Sequence, residues 1–234
     1  MAGNKIKVKK KLNIKKLIIF ILIIYLIVSL VKTMVSTPIK NIIIKGNYYV
    51  SDNEIITSAN LKNYPAISTI NVNKIKNKLK ENKLITDVSI KRTLKFQVII
   101  TVNEQKIICL DKGNNVLMLA NGEKIDNNNE YLGIPTLINY TKDDVLKKFL
   151  EEMGKLDYEI IESISEIEYS PSKNEKEEIV DETRFLLKMN DGNLVYINNS
   201  KLSSLKYYQK IVASLNDKKG ILHLDSGSYL EEVK

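Results

Sequence analysis

The stretch "ENKLITDVSIKRTLKFQVIITVNE" (residues 81–104) decides how the first folded unit of this chain is built. Apolar residues recur in both of its halves, and they alternate with polar residues most clearly in the second. The apolar positions are Ile85, Val88 and Ile90, then Phe96, Val98, Ile100 and Val102. Alternation of this kind is typical of strands with one face on a core. The stretch therefore predicts two consecutive strands.

The residues before this pair supply one more strand and two helices. "IKNIIIKG" (residues 39–46) is rich in β-branched residues, which predicts a strand. Ser51 and Glu54 form a capping box, in which the serine hydroxyl accepts from a free N–H at a helix start. In "NVNKIKNKLKEN", apolar residues recur at i, i+3 and i+7 from Val72, which predicts a second, amphipathic helix. The predicted order is β-α-α-β-β.

An apolar segment near the N-terminus is long enough to cross a membrane. Residues 17–35 contain one charged residue, Lys32, and at ~1.5 Å per residue a helix covers ~28 Å of the ~30 Å hydrocarbon core. Residues 1–35 hold eight lysines and no acid. Basic flanks stay cytoplasmic, so the tail (residues 1–16) predicts a cytoplasmic N-terminus and an extracytoplasmic body. The lysines that set this orientation are Lys9, Lys10, Lys11, Lys15 and Lys16.

A cleaved signal peptide is the alternative for this segment, because it also combines a basic start with an apolar run. Its cleavage site would need small residues in an A-x-A-like pattern, which "VKTMVSTP" (residues 31–38) does not offer. The segment also has no cysteine for lipid attachment. We therefore expect an uncleaved, single-pass anchor.

Charge and composition argue against several classes of function. Of the 36 Lys and Arg residues, 28 follow residue 35, and they balance the 28 Asp and Glu residues. A basic nucleic-acid-binding face is therefore not expected. The chain has one cysteine, Cys109, and one histidine, His223, whereas metal sites and histidine-based catalysis usually need several such residues. We expect no catalytic residue, metal, cofactor or small-molecule substrate, with Cys109 buried and His223 in a strand.

The second half of the chain predicts a β-rich domain with flanking helices. "RFLLKMNDGNLVYIN" (residues 184–198) reads as a hairpin with a two-residue Asp-Gly turn. "KLSSLKYYQKIVASLN" (residues 201–216) predicts one helix, and "SPSKNEKEEIVDE" (residues 170–182) predicts a long loop. "DSGSYLEEVK" (residues 225–234) begins with a turn and then alternates like a strand. The apolar face of the predicted helix is formed by Leu202, Leu205, Tyr208, Val212 and Leu215.

The order of these elements resembles the FtsQ/DivIB family of bacterial cell-division proteins. Such proteins carry a short basic tail, a single anchor and a POTRA domain of β-α-α-β-β order, followed by a β-domain. "NIIIKGNYYVSDNEII" and the stretch quoted at the outset carry the detailed match, although Lys95 and Ile107 stand where the family usually has proline. The matching positions of the second motif are Arg92, Val98, Ile100, Val102 and Glu104. "LMLANGEKID", "GIPTLINY" and "GILHLDSGSYLEEV" extend the resemblance along nearly the whole chain.

The resemblance implies an α+β fold and a role in division. It assigns residues 36–106 to the POTRA domain and residues 107–234 to a mixed β-sheet domain with flanking helices. It implies a non-enzymatic divisome protein at the septal cell membrane, in complex with the coiled-coil proteins FtsL and FtsB (DivIC in Gram-positive bacteria). The septal peptidoglycan synthase is a further implied partner, whose activity the complex helps to regulate.

In proteins of this family the last strand and the helix before it carry the main partner contact. The mechanism is β-strand addition, in which a partner strand pairs with the unpaired backbone of a sheet edge. The positions implied here are Asp225, Ser226, Gly227, Ser228, Tyr229, Leu230, Glu231 and Val233, with Tyr207 and Lys201 near the helix.

Two other functions stay open at this point. One is a POTRA-bearing envelope assembly or translocation factor, although such proteins usually carry several POTRA units and a β-barrel. The other is an anchored, wall-binding sensor module. The lysines of "KIKNKLK" (residues 74–80) suit a solvated helix face, or a surface for acidic headgroups, wall polymers or an acidic partner.

Overall fold

The first helix of the chain is apolar and exposed along its whole length. The computed structural model describes residues 13–128, 131–139, 141–215 and 218–232. Helix α1 (Ile14–Ser36) contains the predicted segment, and within the described part of the chain it is the one helix long and apolar enough to cross a membrane. Lys15 and Lys16 lie in its first turn. Lys9, Lys10, Lys11 and Val233 lie outside the described residues.

The domain that the resemblance assigns as a POTRA domain has the predicted β-α-α-β-β order. Strand β3 lies between β1 and β2, and β1 runs parallel to β3. The Ser51 hydroxyl accepts from the Glu54 N–H at 3.2 Å and so caps α2 as predicted. Val98, Ile100 and Val102 of β3 are completely buried, as their alternation indicated. The elements are β1 (Asn41–Lys45), α2 (Asp52–Ser58), α3 (Val72–Leu79), β2 (Ile85–Arg92) and β3 (Gln97–Glu104).

The chain divides into two compact units. One unit combines the described residues up to Glu81 with Val88–Val102, and the other combines Asn82–Asp87 with the described residues from Asn103 onward. The first three residues of β2 are therefore grouped with the second unit, although the strand belongs to the three-stranded sheet.

A nine-stranded mixed sheet forms the second unit. Its strand order is β14-β13-β12-β11-β8-β7-β4-β5-β6, in which β12 and β13, β4 and β7, and β7 and β8 are parallel pairs. The nine strands are β4 (Ile107–Asp111), β5 (Val116–Leu119), β6 (Lys124–Asp126), β7 (Thr136–Leu137), β8 (Ile164–Tyr169), β11 (Arg184–Met189), β12 (Leu194–Asn198), β13 (Gly220–His223) and β14 (Tyr229–Glu232). Two further strands, β9 (Ser172–Lys173) and β10 (Ile179–Asp181), form a separate two-stranded sheet. The helices are α4 (Asp143–Met153), α5 (Tyr158–Glu162) and α6 (Tyr208–Ser214), and a 3-10 helix (Leu202–Tyr207) precedes α6.

One face of this sheet packs against the helices and forms the core. The rings of Phe149 on α4 and Phe185 on β11 lie 4.0 Å apart between centroids. Cys109 is completely buried, as predicted, and burial raises the pKa of its thiol to about 12. On β11 and β12 the buried residues alternate with half-buried ones, so the opposite face of the sheet remains partly open to solvent.

Three local predictions were wrong in detail. Residues 170–182 contain the small β9–β10 hairpin and are not a continuous loop. The β11–β12 turn has three residues and ends with Gly192 at φ +91°, because the backbone of Met189 pairs with that of Asn193. The predicted helix at 201–216 starts as the 3-10 helix before α6, although Leu202, Leu205 and Tyr208 are buried as expected.

A buried amide connects the β11–β12 turn to α6 and to β13. The Asn193 side chain donates to the Tyr208 hydroxyl at 3.2 Å and accepts from the Gly220 N–H at 3.1 Å. The Tyr208 hydroxyl in turn donates to the Asp191 carboxylate at 2.8 Å. Burial, together with the hydrogen bond to Asp191, raises the pKa of Tyr208. Burial opposes ionisation of Asp191, but hydrogen bonds from Asn193 and Tyr208 lower its pKa overall.

Tyr208→Phe tests this connection. It removes the hydroxyl that donates to Asp191 and leaves the buried Asn193 amide without its acceptor. We expect the free energy of unfolding to fall by about 1–3 kcal/mol, the range for a hydrogen bond to a charged group or for an unsatisfied buried donor. Urea unfolding monitored by circular dichroism measures the change.

Tyr207→Phe is the matched control, because the neighbouring tyrosine is 49% exposed. It should change the free energy of unfolding by less than about 0.5 kcal/mol. Equal losses in the two variants would contradict the role assigned to Tyr208.

Candidate partner-binding site

The predicted residues 225–231 form one hairpin at the edge of the nine-stranded sheet. Strand β13 pairs with β14 in antiparallel register, with Leu222 opposite Leu230 and His223 opposite Tyr229. Within the described part of the chain, no strand lies on the other side of β14. The strand that the alternation in "DSGSYLEEVK" predicted is therefore present as β14, and it is the last strand at this edge of the described sheet.

The open edge presents backbone groups of two residues. The close approach of Gly220 to the Glu231 carbonyl shows that this carbonyl points towards β13. Successive residues of a strand direct their backbone groups to opposite sides. The N–H and C=O groups of Leu230 and Glu232 consequently point away from β13, where an added strand can reach them.

Planar side chains form a ladder across four strands and end at Tyr229. The Arg184 guanidinium lies 4.4 Å from the Tyr196 ring centroid, and the Tyr196 and His223 rings are 5.4 Å apart. His223 and Tyr229 stack at 4.5 Å with an interplanar angle of 8°. Tyr229 remains 53% exposed, so the ladder ends in a ring that a further strand can cover.

The turn before β14 is fixed at its first residue and exposed at the next three. The Asp225 side chain is only 8% exposed, and its carboxylate lies 3.5 Å from Arg184 and 3.8 Å from His223. Ser226, Gly227 and Ser228 are exposed. Asp225 therefore holds the hairpin against β11, whereas the following residues present surface.

The side chains of β14 differ between its two faces. Leu230 is half-buried and opposite the buried Leu222, so it extends the core face of the sheet to the edge. The Glu231 carboxylate lies 3.1 Å from the His223 ring, and Glu232 pairs with Lys218 at 2.6 Å. The edge thus combines an apolar position, an aromatic ring and two exposed acids.

The other two predicted residues lie on the 3-10 helix rather than on the hairpin. Lys201 is exposed and directly precedes that helix, and Tyr207 is 49% exposed at its end. The Lys206 ammonium lies 4.9 Å from the Tyr207 ring centroid. The structure gathers the hairpin residues into one surface and leaves Lys201 and Tyr207 on a separate segment.

Sequence reasoning missed four residues that position the edge. Arg184, Tyr196 and His223 build the ladder, and Gly220 allows β14 to approach β13. The available signal was the alternation of side chains between the two faces of a strand, since Tyr196 lies between the buried Val195 and Ile197. That pattern places Tyr196 on the open face but does not reveal its neighbours.

The described residues contain no group of three or more His, Cys, Asp or Glu side chains that could hold a metal ion. The contacts that the structure shows at the site are ion pairs, ring stacking and strand pairing. Fold and site together define a POTRA domain followed by a β-domain with an open strand at its edge.

Comparison with known proteins places this architecture in a family. Residues 37–105 match the model for the FtsQ-type POTRA domain, and residues 107–227 match that for the C-terminal part of the cell division protein FtsQ/DivIB. The chain is 30% identical to the cell division protein DivIB of Bacillus subtilis, over 85% of this chain and 76% of that one. It is 28% identical to DivIB of Listeria monocytogenes, over 81% and 71%.

A solved structure of the major extracytoplasmic domain of DivIB from Geobacillus stearothermophilus is also similar. It shares 21% identity at a TM-score of 0.37 and covers 49% of this chain and 96% of that domain. Because both family models and the sequence relatives match, the chain belongs to the FtsQ/DivIB family of bacterial cell division proteins.

Gly220→Ala tests how β14 is held. The added Cβ would lie 2.2 Å from the Glu231 carbonyl oxygen, so β14 must move away from β13. We expect faster amide hydrogen exchange in β14 and unchanged exchange in β11. Hydrogen exchange measured by mass spectrometry resolves both strands.

Gly113→Ala is the control, because among the described residues only the Asp111 side chain lies within 4 Å of its added Cβ, at 3.5 Å. It should leave exchange in β14 unchanged. Unaltered protection of β14 in Gly220→Ala would refute the close approach.

Proposed function

We propose that this chain is a non-enzymatic, single-pass membrane protein of the divisome that binds a partner by strand addition at β14. The observation that carries the proposal is the open edge of β14, where the backbone groups of Leu230 and Glu232 point away from the sheet. A partner strand would satisfy these groups, and its side chains would add specificity. Membership of a cell division family supports the proposed role in the divisome.

The partners we propose are an FtsL-like and an FtsB/DivIC-like coiled-coil membrane protein. Through this complex the chain would help to regulate septal peptidoglycan synthesis, with the septal synthase as a further partner. The proposal follows from the family membership and from a β-domain whose exposed edge suits a peptide strand better than a small molecule.

The side chains of β14 specify what the partner strand would carry. Opposite Leu230 we expect an apolar residue, which would extend the core face by one strand. Opposite Tyr229 we expect an aromatic ring or an Arg guanidinium, which would extend the ladder that already runs from Arg184. Glu231 and Glu232 would favour basic residues nearby.

The proposed topology puts the N-terminus in the cytoplasm and the two domains outside. Helix α1 has the length and composition of a membrane-spanning segment. The lysines at its start and before it favour the cytoplasmic side. The septal cell membrane is the proposed location.

Tyr229→Lys and Leu230→Lys test the binding edge. Each places a charge where the added strand would have to cover the side chain, so we expect loss of partner binding with an unchanged circular dichroism spectrum. Pull-down with the FtsL-like and FtsB/DivIC-like proteins of the same genome is the measurement.

Leu132→Lys is the matched control, because Leu132 is 90% exposed and lies outside the hairpin. It should retain binding. Full retention in both β14 variants would reject the assignment of the site.

Localisation of a fluorescent fusion tests the cellular role. A division protein should form a band at midcell, where septal synthesis takes place. A uniform signal around the envelope would instead support a POTRA-bearing assembly factor or an anchored, wall-binding sensor.

A further inference from the structure

The POTRA domain starts directly after the apolar helix, and the segment at residues 67–68 is hydrogen-bonded to the end of that helix. Four residues separate α1 from β1, so this link spans at most about 18 Å when extended. The Ile67 N–H donates to the Thr37 carbonyl at 3.1 Å, and the Ser68 hydroxyl donates to the Val35 carbonyl at 2.6 Å. These bonds hold one end of the domain close to the end of α1.

The turn between β2 and β3 lies at this same end of the sheet. Strands β1 and β3 are parallel and their first residues are directly opposite, so β3 starts level with β1. The Lys40 N–H donates to the Phe96 carbonyl at 2.8 Å. Arg92 donates to the Ile67 carbonyl at 3.5 Å, which connects the end of β2 to the segment bonded to α1.

The composition of this turn is unusual for an exposed loop. Leu94 is 88% exposed, among the most exposed large apolar side chains of the described residues outside α1. The cations around it are exposed as well, and the segment 91–97 contains no acid. These cations are Lys40, Lys91, Arg92 and Lys95. An apolar side chain among cations is the pattern of segments that bind the surface of an anionic membrane.

A tyrosine lies next to the same end of the domain. The Ile39 N–H donates to the Pro65 carbonyl at 3.0 Å, which places the neighbouring Tyr64 beside the linker from α1. The Tyr64 side chain is 47% exposed. Tyrosine is enriched at the interface between membrane and water, where its ring and hydroxyl suit the headgroup layer.

We infer that the β2–β3 turn binds the membrane in which α1 is anchored. Leu94 enters the headgroup layer, and the surrounding Lys and Arg side chains bind anionic lipid headgroups. This inference rests on the proposed anchorage of α1 and adds a lipid-binding surface on the POTRA domain. The surface would restrain the domain against the bilayer in addition to the four-residue link and the hydrogen bonds of Ile67 and Ser68.

A fluorescent label at position 94 tests the contact in the full chain. Leu94→Cys is labelled with an environment-sensitive dye, and the native Cys109 does not interfere because it is buried and its pKa is raised to about 12. The protein is reconstituted in vesicles of phosphatidylglycerol or of phosphatidylcholine. Lipids that carry a quencher near the headgroup report the depth of the dye.

Lys45→Cys is the matched control site, since Lys45 is exposed at the opposite end of β1. We expect a blue-shifted emission and severalfold stronger quenching at position 94 than at position 45, in phosphatidylglycerol vesicles. The difference should shrink in phosphatidylcholine, in high salt, and when Lys91, Arg92 and Lys95 are all changed to Gln.

Equal spectra at the two positions would overturn the lipid contact while leaving the anchor intact. A dye at position 94 that is shielded only after addition of a protein partner would also overturn it, in favour of a protein-binding turn. Alkaline extraction of the same vesicles reports on α1 separately, because release of the chain would refute the anchorage and, with it, this contact.

Discussion

The side-chain amide of Asn193 holds together the end of the β-domain that carries the proposed binding edge. It is 2% exposed, and it bonds the hydroxyl of Tyr208 on one side and the N–H of Gly220 on the other. If the amide lost one of these partners, a buried polar group would be left without a hydrogen bond, which costs free energy. The relative positions of the β11–β12 turn, α6 and β13 are therefore fixed together. Strand β13 begins at Gly220, and it is the strand that pairs with β14 in the described sheet. The geometry of the open edge therefore depends on a hydrogen bond made in the interior, two strands away from the residues that a partner would touch.

An open edge strand is an aggregation hazard, and β14 carries features that reduce it. It is short, and Glu231 and Glu232 place two acids on it, which disfavours pairing with a second copy of the same strand. The strand has one aromatic side chain, Tyr229, and one aliphatic side chain, Leu230. A partner strand with complementary charge and a planar side chain gains contacts that a second copy lacks. The same residues thus disfavour pairing with a second copy of β14 and favour pairing with a complementary partner strand.

The individual strands and helices were largely predictable from the sequence, because each carries its own local pattern of apolar and capping residues. The alternation from Val98 to Val102 and the cap at Ser51 are local signals, and both hold in the structure. The turn at Asp191-Gly192 was predicted to have two residues and has three, because a glycine at positive φ suits turns of either length. The ladder across β11 to β14 was not predictable in this way. Its members are 12 or more residues apart, except for His223 and Tyr229, and only the strand order brings them together.

Asp225 illustrates why a residue carried over from a family resemblance needs a structure before it is given a role. The resemblance places it among the partner-binding residues, yet its carboxylate is largely buried between Arg184 and His223. Arg184 also donates to the Ser170 carbonyl at 2.7 Å and lies over Tyr196, so it fixes the turn and the ladder together. The contribution of Asp225 to binding would then act through the position of β14, since the exposed surface begins at Ser226. Strand addition needs a backbone held at the right distance and angle, and it is the buried charge of Asp225 that sets where this backbone starts.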